Sequence, residues 1–261
     1  MNGSSSFDAF VVITGGASGI GAATARRVVD AGGRVGLIDV NGEGAQRLAA
    51  QWPDRAWAAQ ADAVDETSMR AAFDSFAGQH ADLAGLVNCA GLAQVPAPIE
   101  DYAVDAFQRI VDSHLRTTYV ACRVIGSAIA QRGQGCIVNI ASVLSFRPGP
   151  VLAYGPAKAA IVNLTSALAV QWAHRNVRVN AVAPGWTDTP FLRPKERKGE
   201  RDLTPILNAT PMHRLMKPEE IAEVIFFLLS PASSAITGAT IPCDGGVVAG
   251  SGWAPYGGFP S

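Results

Sequence analysis

Tyr154 and Lys158 stand four residues apart in the segment Ala-Tyr-Gly-Pro-Ala-Lys-Ala-Ala. On a helix that spacing puts both side chains on one face. A phenol alone, with a pKa near ~10, is a poor base at neutral pH. A nearby ammonium favours the phenolate and lowers that value, toward the range where general acid–base catalysis is efficient. The pair suits reversible proton exchange with an alcohol or carbonyl oxygen. Taken alone it is equally a half-buried tyrosine beside a solvated lysine, so the surrounding elements must decide.

The first such element lies at the start of the chain. Phe10-Val-Val-Ile-Thr14 is an apolar, β-branched run that reads as a buried strand. Gly15-Gly-Ala-Ser18-Gly19-Ile20-Gly21 follows, then a helical stretch from Ala22 to Ala31. Strand, glycine turn and helix are what a phosphate-binding loop requires: glycines let the backbone approach a pyrophosphate, and the helix N-terminus offers free N–H groups. A plain glycine turn is the alternative. A second apolar strand, Arg34 to Asp39, ends in an acid 18 positions beyond Gly21. That is close to the offset of about 20 for a carboxylate that holds an adenosine ribose. A strand-terminal Asp that caps the following helix is the other reading of Asp39.

Further short apolar segments near 55–59, 84–88, 135–140, 177–182 and 239–242 alternate with helical patterns, including long ones over 104–131 and 153–173. Alternation of this kind predicts an α/β domain whose parallel sheet is covered on both faces. Its ligands belong beyond the carboxyl ends of the strands. Pro156 falls in the first turn of the Tyr–Lys helix, where no backbone N–H is needed. At 261 residues, 1–261 reads as one domain, with a polar leader at 1–8 and a tail at 247–261. The net charge of −1 gives no general pull toward nucleic acid or membrane. Cys89, Cys122, Cys136 and Cys243 show no metal-binding spacing, so no metal is expected and buried thiols in a reducing compartment are. The expected location is cytoplasmic.

Over residues 10–246 the chain resembles the short-chain dehydrogenase/reductases of the compact, single-domain branch. Thr14 to Gly21 resembles the family's cofactor loop, with Gly15, Ser18, Gly19, Ile20 and Gly21 against the dinucleotide. Asp62, with Ala63, resembles the acid that contacts adenine, and Asn88-Cys89-Ala90-Gly91 the family's Asn-Asn-Ala-Gly segment. Ser142 matches the catalytic serine, and Tyr154 and Lys158 the catalytic pair. Pro184, Gly185, Thr187 and Thr189 match the segment beside the nicotinamide. The resemblance implies a doubly wound, Rossmann-like parallel sheet of about seven strands with helices on both faces.

It also implies a mechanism. NAD⁺ takes hydride from the carbon of a secondary alcohol while the hydroxyl proton leaves to Tyr154. Lys158 keeps the phenol acidic and holds the nicotinamide ribose, and Ser142 fixes the substrate oxygen. The interval of 12 positions from Ser142 to Tyr154 is about one residue shorter than the family's usual one. Aligning Phe107 to Thr117 places His114 where the family often has an Asn that supports a helix kink and a proton-relaying water. Imidazole can both donate and accept, so His114 is expected to support an altered relay; a packed, hydrogen-bonded His is the alternative. Asp39, with Ser18 and Val40 where basic residues would favour a 2′-phosphate, points to NAD rather than NADP.

The substrate pocket expected by analogy draws on Gln94, Leu144, Phe146, Leu152, Trp186 and Phe191. Their apolar and aromatic character favours a hydrophobic or ring-bearing alcohol or ketone. A sugar or polyol dehydrogenase of the same family, using Gln94 and Asn208, and a catalytically silent NAD-binding module are kept as alternatives. The charged run 193–202 reads as a solvated face. Relatives imply a homotetramer, and the aromatic tail from Val247 to Ser261 is expected to pack on or near another subunit.

Overall fold

The computed structural model describes residues 7–193, 202–253, 255 and 258–259, and the side chain of His80 lies outside the description. Most of the charged run, and Tyr256 of the tail, therefore lie outside the described residues.

Seven parallel strands form one sheet among the described residues: β1 (Phe10–Thr14), β2 (Arg34–Asp39), β3 (Ala56–Gln60), β4 (Leu83–Asn88), β5 (Gly135–Ile140), β6 (Val177–Pro184) and β7 (Thr240–Cys243). Their order is β3-β2-β1-β4-β5-β6-β7. The strand order reverses between β1 and β4, which opens a crevice at their carboxyl ends. The doubly wound α/β fold expected from the sequence is the observed one.

The apolar strands bury both faces because successive side chains alternate. Phe10 and Val12 point into one core with Met69, Phe73, Ile125 and Trp172. Val11 and Ile13 point into the other with Val28, Leu48, Ile221 and Ile225. The second core is closed by α1 (Gly19–Asp30), α2 (Gly42–Ala49) and α9 (Pro218–Leu229), the last preceded by a short α8 (Thr204–Asn208). The first is closed by α3 (Glu66–Asp74), α7 (Tyr154–Ala173) and the helical run over 104–132. Phe10, Ile13, Leu37 and Ile125 are fully buried, and each such side chain contributes about 1.5–3 kcal/mol relative to exposure.

Two boundaries differ from the sequence reading for a physical reason. The first helix begins at Gly19 rather than Ala22, because the last glycines of the loop already form its first turn. The long helix is not uniform. It runs as α4 (Val104–Val111), a π turn (Asp112–Arg116), α5 (Thr117–Ala121), a second π turn (Cys122–Gly126) and α6 (Ser127–Arg132). In the first π turn the Thr117 and Thr118 hydroxyls donate to the His114 carbonyl at 3.0 and 2.8 Å. They bond a carbonyl of the widened turn, the kind of local distortion that often accompanies a functional position.

The ends are partly tied in. Phe7 of the leader donates its N–H to the Ala31 carbonyl at 3.0 Å and packs edge-on to Phe226. In the tail, Phe259 meets His213 with ring centroids 6.5 Å apart, so part of the tail packs on this same chain.

Candidate active site

The site begins at the crevice. Gly15 is left-handed at φ +66°, and a Cβ there would come 2.7 Å from the Ala90 nitrogen. A Cβ on Gly21 would overlap the Gly15 carbonyl oxygen. Only glycine allows this approach of β1, α1 and the β4 exit. Ser18 occupies the cap position of α1 but makes no side-chain capping bond, so the first-turn N–H groups of α1 have no side-chain cap of their own. Such N–H groups at a helix N-terminus are the kind that can bind an anion.

Asp39 ends β2 with both carboxylate oxygens engaged: Ala17 N–H donates to Oδ2 at 3.0 Å and Asn41 N–H to Oδ1 at 2.9 Å. Helix α2 is capped by Asn41, whose side chain accepts the Gly44 N–H at 3.0 Å. The capping role that competed for Asp39 thus belongs to the residue two positions on. Asp62 is exposed and accepts the Val64 N–H at 3.0 Å, one residue beyond Ala63.

The Asn88 amide is engaged with its neighbours in the sheet. Its Nδ2 donates to Asn139 Oδ1 at 2.8 Å, and Asn139 Nδ2 donates to Thr165 Oγ1 at 2.9 Å. This buried chain locks β4 to β5 and β5 to α7. Asn139 and Thr165 went unnoticed in the sequence because an Asn inside an apolar strand carries no motif.

Ser142, Tyr154 and Lys158 come together as expected. Ser142 Oγ accepts the Leu144 N–H at 3.2 Å, which orients the hydroxyl, and the Ser142 side chain is near enough to the Tyr154 phenol to lower its pKa. Lys158 Nζ is buried, donates to the Ile140 carbonyl at 2.6 Å and lies 5.7 Å from the Tyr154 ring centroid. Burial pulls the ammonium down to about 8, with the neighbouring Cys89 opposing. Burial also pushes the Tyr154 phenol above its ordinary value, and Ser142 pulls it part of the way back.

Helix α7 starts at Tyr154, and its cap residue Ala153 has no side chain to offer. Gln94 takes that role. Its Oε1 accepts the N–H groups of Ala153 and Tyr154 at 3.1 and 2.8 Å. The residue placed in the substrate pocket by analogy therefore has its carbonyl oxygen committed to the start of α7.

His114 is buried in the first π turn. Its Nε2 bonds to the Leu92 carbonyl at 2.8 Å, so Nε2 carries the proton. Nδ1 is buried and without a hydrogen-bond partner. Burial, then the charge of Lys158, pulls the imidazole down to about 3, with the Leu92 carbonyl opposing. The ring is neutral at working pH.

Downstream, Gly185 abuts Asp244, since a Cβ would lie 2.8 Å from the Asp244 Cα. Asp244 accepts the Gly246 and Val248 N–H groups, both at 2.8 Å, and so folds the exit of β7 under Pro184 and Gly185. Thr187 bridges to Met216, and the Thr189 methyl lies where a Gly19 Cβ would be 3.3 Å away. The two ends of the expected cofactor site thus meet. Arg214 holds Glu220 through two bonds of 2.7 Å, anchoring the segment before α9.

Of the expected pocket residues, Phe191 faces Tyr154 with ring centroids 5.9 Å apart. Phe146 and Leu152 are exposed, Leu144 lies against Gly149, and Trp186 accepts the Met216 N–H through its carbonyl at 2.8 Å. An open apolar groove of about 610 Å³, lined by Pro96, Pro98, Ile99, Pro150 and Leu152 among others, lies to one side. Only Leu152 belongs to the expected pocket, and neither Ser142 nor Tyr154 lines the groove. It flanks the chemistry rather than containing it.

Comparison with known proteins agrees with this geometry. Residues 15–248 match the family described as enoyl-(acyl carrier protein) reductase. The chain is 38% identical to cis-4-hydroxycyclohexanecarboxylate dehydrogenase of Sinomonas cyclohexanicum, over 91% of this chain and 96% of that protein. It is 35% identical to galactitol 2-dehydrogenase of Rhizobium johnstonii, over 90% and 93% respectively. The crystal structure of 3-ketoacyl-(acyl-carrier-protein) reductase from Brucella melitensis, complexed with NADH, superposes with a TM-score of 0.86 at 32% identity, covering 93% of this chain and all of that one. With its glycine turn at the β1–β4 crevice and Ser142 and Lys158 beside Tyr154, the chain belongs to the short-chain dehydrogenase/reductase family.

Proposed function

We propose that this oxidoreductase of alcohols and ketones uses NAD(H) rather than NADP(H) and takes a secondary alcohol carried on an apolar ring. The observation that carries the reading is the group at the carboxyl end of β5 in which the half-buried Tyr154 lies beside buried Ser142 and Lys158. A module that only bound dinucleotide would have no use for a phenol placed beside a buried ammonium, so the silent-binder alternative is set aside.

Gly15, Ser18, Gly19, Ile20 and Gly21 would hold the pyrophosphate, Asp39 the adenosine ribose, and Asp62 with Ala63 the adenine. Asn88, Ala90, Gly91, Pro184, Gly185, Thr187 and Thr189 would border the nicotinamide half. The uncapped first turn of α1 and the space beside Gly15 fit such a ligand. When bound, the nicotinamide supplies the site that accepts or gives hydride. The chain does the rest. Ser142 donates to the developing oxyanion and holds the carbinol oxygen near the phenol. Tyr154 Oη takes the hydroxyl proton in oxidation and returns it in reduction. Lys158, held by Ile140, would hold the ribose and supply positive charge near the phenol. Phe191, packed toward Tyr154, and the exposed Phe146 and Leu152 favour an apolar substrate body.

Asp39 supports NAD, because a 2′-phosphate would meet its carboxylate and find no basic side chain at Ser18 or at the exposed Val40. The relatives include dehydrogenases of a cyclic hydroxy acid and of a polyol. A polyol is a second reading on the strength of the latter, but Gln94 Oε1 is engaged by α7 and Asn208 is exposed.

We further read the protein as a cytoplasmic homotetramer of single-domain subunits. Four free thiols accord with a reducing compartment. No described helix is long and apolar enough to cross a membrane, and no described cluster could hold a metal ion. Exposed Val104, Phe107, Tyr119 and Val170 on the 104–132 run and α7 offer apolar surface to another copy. Light scattering that finds a stable monomer at micromolar concentration would refute the assembly.

The test of function is NAD⁺ reduction at 340 nm over aryl alcohols, alicyclic alcohols, sterols and polyols. Alicyclic alcohols should lead, and NADP⁺ should serve poorly. Asp39→Ser should narrow the preference between the two dinucleotides at least tenfold. Tyr154→Phe should abolish oxidation while the dinucleotide still binds by calorimetry. A Tyr154→Phe enzyme with full turnover would sink the reading.

A further inference from the structure

The first turn of α7 can be accounted for donor by donor. Gly155 N–H donates to the Val151 carbonyl at 3.1 Å and Ala157 N–H to Ala153 at 3.1 Å, while Pro156 has no N–H. The two that remain, Ala153 and Tyr154, both donate to Gln94 Oε1. A side chain from the loop after β4, 60 positions earlier in the chain, thus completes the helix that carries the phenol. The same short loop grips Tyr154 from its other side. The Leu92 carbonyl takes His114 Nε2 at 2.8 Å, the Leu92 N–H donates to Ser113 Oγ at 3.4 Å, and the His114 ring stands against the Tyr154 ring.

We propose that Gln94 is a positioning residue for the reaction: it fixes the backbone of Tyr154, and through it the phenol, relative to Ser142 and the substrate carbon. The inference rests on the oxidoreductase reading above. The orientation of the amide is unambiguous, because turning it over would set an NH₂ group against two N–H donors. Tyr154 sits at the first helical position, where a frayed turn would move the catalytic oxygen directly. Misplacement of a reacting group by about 1 Å can cost about 100-fold in rate. Gln94 acts at a distance from the chemistry, through one backbone N–H, so its loss should appear in turnover and leave dinucleotide affinity untouched.

Gln94→Met keeps the length of the side chain and removes the acceptor, whereas Gln94→Glu keeps the acceptor. The methionine variant should lose roughly 10- to 100-fold in kcat, with the dissociation constant for NAD⁺ unchanged. The glutamate variant should recover most of that loss. Hydrogen exchange over the peptide 153–157 should quicken in the methionine variant and stay slow in the glutamate variant. A methionine variant with wild-type kcat overturns the proposal, as does a glutamate variant no better than the methionine one in both readouts. A wild-type protein inactive on every alcohol would defeat the oxidoreductase reading instead. The exchange comparison would then still decide whether Gln94 holds Tyr154, with equal rates in all three proteins counting against it.

Discussion

The imidazole of His114 meets the phenol ring of Tyr154 edge to face, with ring centroids 4.9 Å apart and planes at 83°. The arrangement is of the favourable T-shaped kind. Because Nε2 holds its proton for Leu92, the ring turns its proton-free Nδ1 into the interior. His114 therefore packs against Tyr154, and any relay through it would use Nδ1 as an acceptor.

A buried neutral histidine makes the fold sensitive to acid. The unfolded chain binds a proton at His114 below the ordinary value of 6.5, while the folded chain resists until about 3. The unfolded state then holds more protons in that window, so stability is intact above pH 6.5 and is lost as the pH falls. Against a His114→Asn variant, the wild type should lose up to about 5 kcal/mol across the window. Denaturant titrations at pH 7, 5.5 and 4 read the difference; parallel curves for the two proteins would contradict it.

Gly91 provides the seat for this ring, since a Cβ there would overlap Cε1 and Nδ1 of His114. Gly91→Ala should cost about 1–3 kcal/mol by overpacking. With His114→Ala alongside, the clash disappears, and the double variant should be more stable than the sum of the single effects by at least about 0.5 kcal/mol. Additive losses in thermal or chemical unfolding would show that the two residues do not share this contact.

Burial raises the pKa of the Tyr154 phenol, and Ser142 lowers it in part. Ser142→Ala removes that lowering, so the rise of alcohol oxidation with pH should move to higher pH as well as shrink in amplitude. The profile of kcat/KM between pH 6 and pH 10 tests this, and a smaller but unshifted profile would assign Ser142 to substrate binding alone.

Lys158 costs stability in its place beside Tyr154. Its ordinary value of 10.5 falls to about 8 in the fold. Between these values the unfolded chain holds the proton that the folded chain has released, so stability rises with pH through the window. Relative to Lys158→Met, the wild type should gain about 3 kcal/mol between pH 8 and 10.5. The Met variant should be catalytically crippled throughout. A constant difference between the two proteins over this range would mean that the ammonium is better solvated than its burial indicates.

The fold was legible in the sequence to the extent that it depended on local pattern. Apolar runs bounded by glycines and acids declared β1 and β2, and the alternation of strands with helical patterns declared a two-faced parallel sheet. The interior of the 104–132 run was not legible, because a π turn changes the hydrogen-bond register without changing the spacing of apolar residues enough to notice. Tyr154 and Lys158 could be paired from their spacing alone, since a helix brings positions i and i+4 to one face whatever surrounds it.

Residue order was enough to say which groups are available: a serine, a phenol and an ammonium in succession, a glycine turn after a strand, and an acid at the next strand's end. The role of each was settled by the folded chain. Gln94 became a cap because the β4 loop crosses the start of α7, and Asn88 became a strut because Asn139 and Thr165 stand beside it. Lys158 directs its ammonium at the Ile140 carbonyl rather than at the phenol oxygen. Burial and long-range hydrogen-bond partners set these outcomes, and both are properties of surfaces brought together from distant parts of the chain, which no local spacing records.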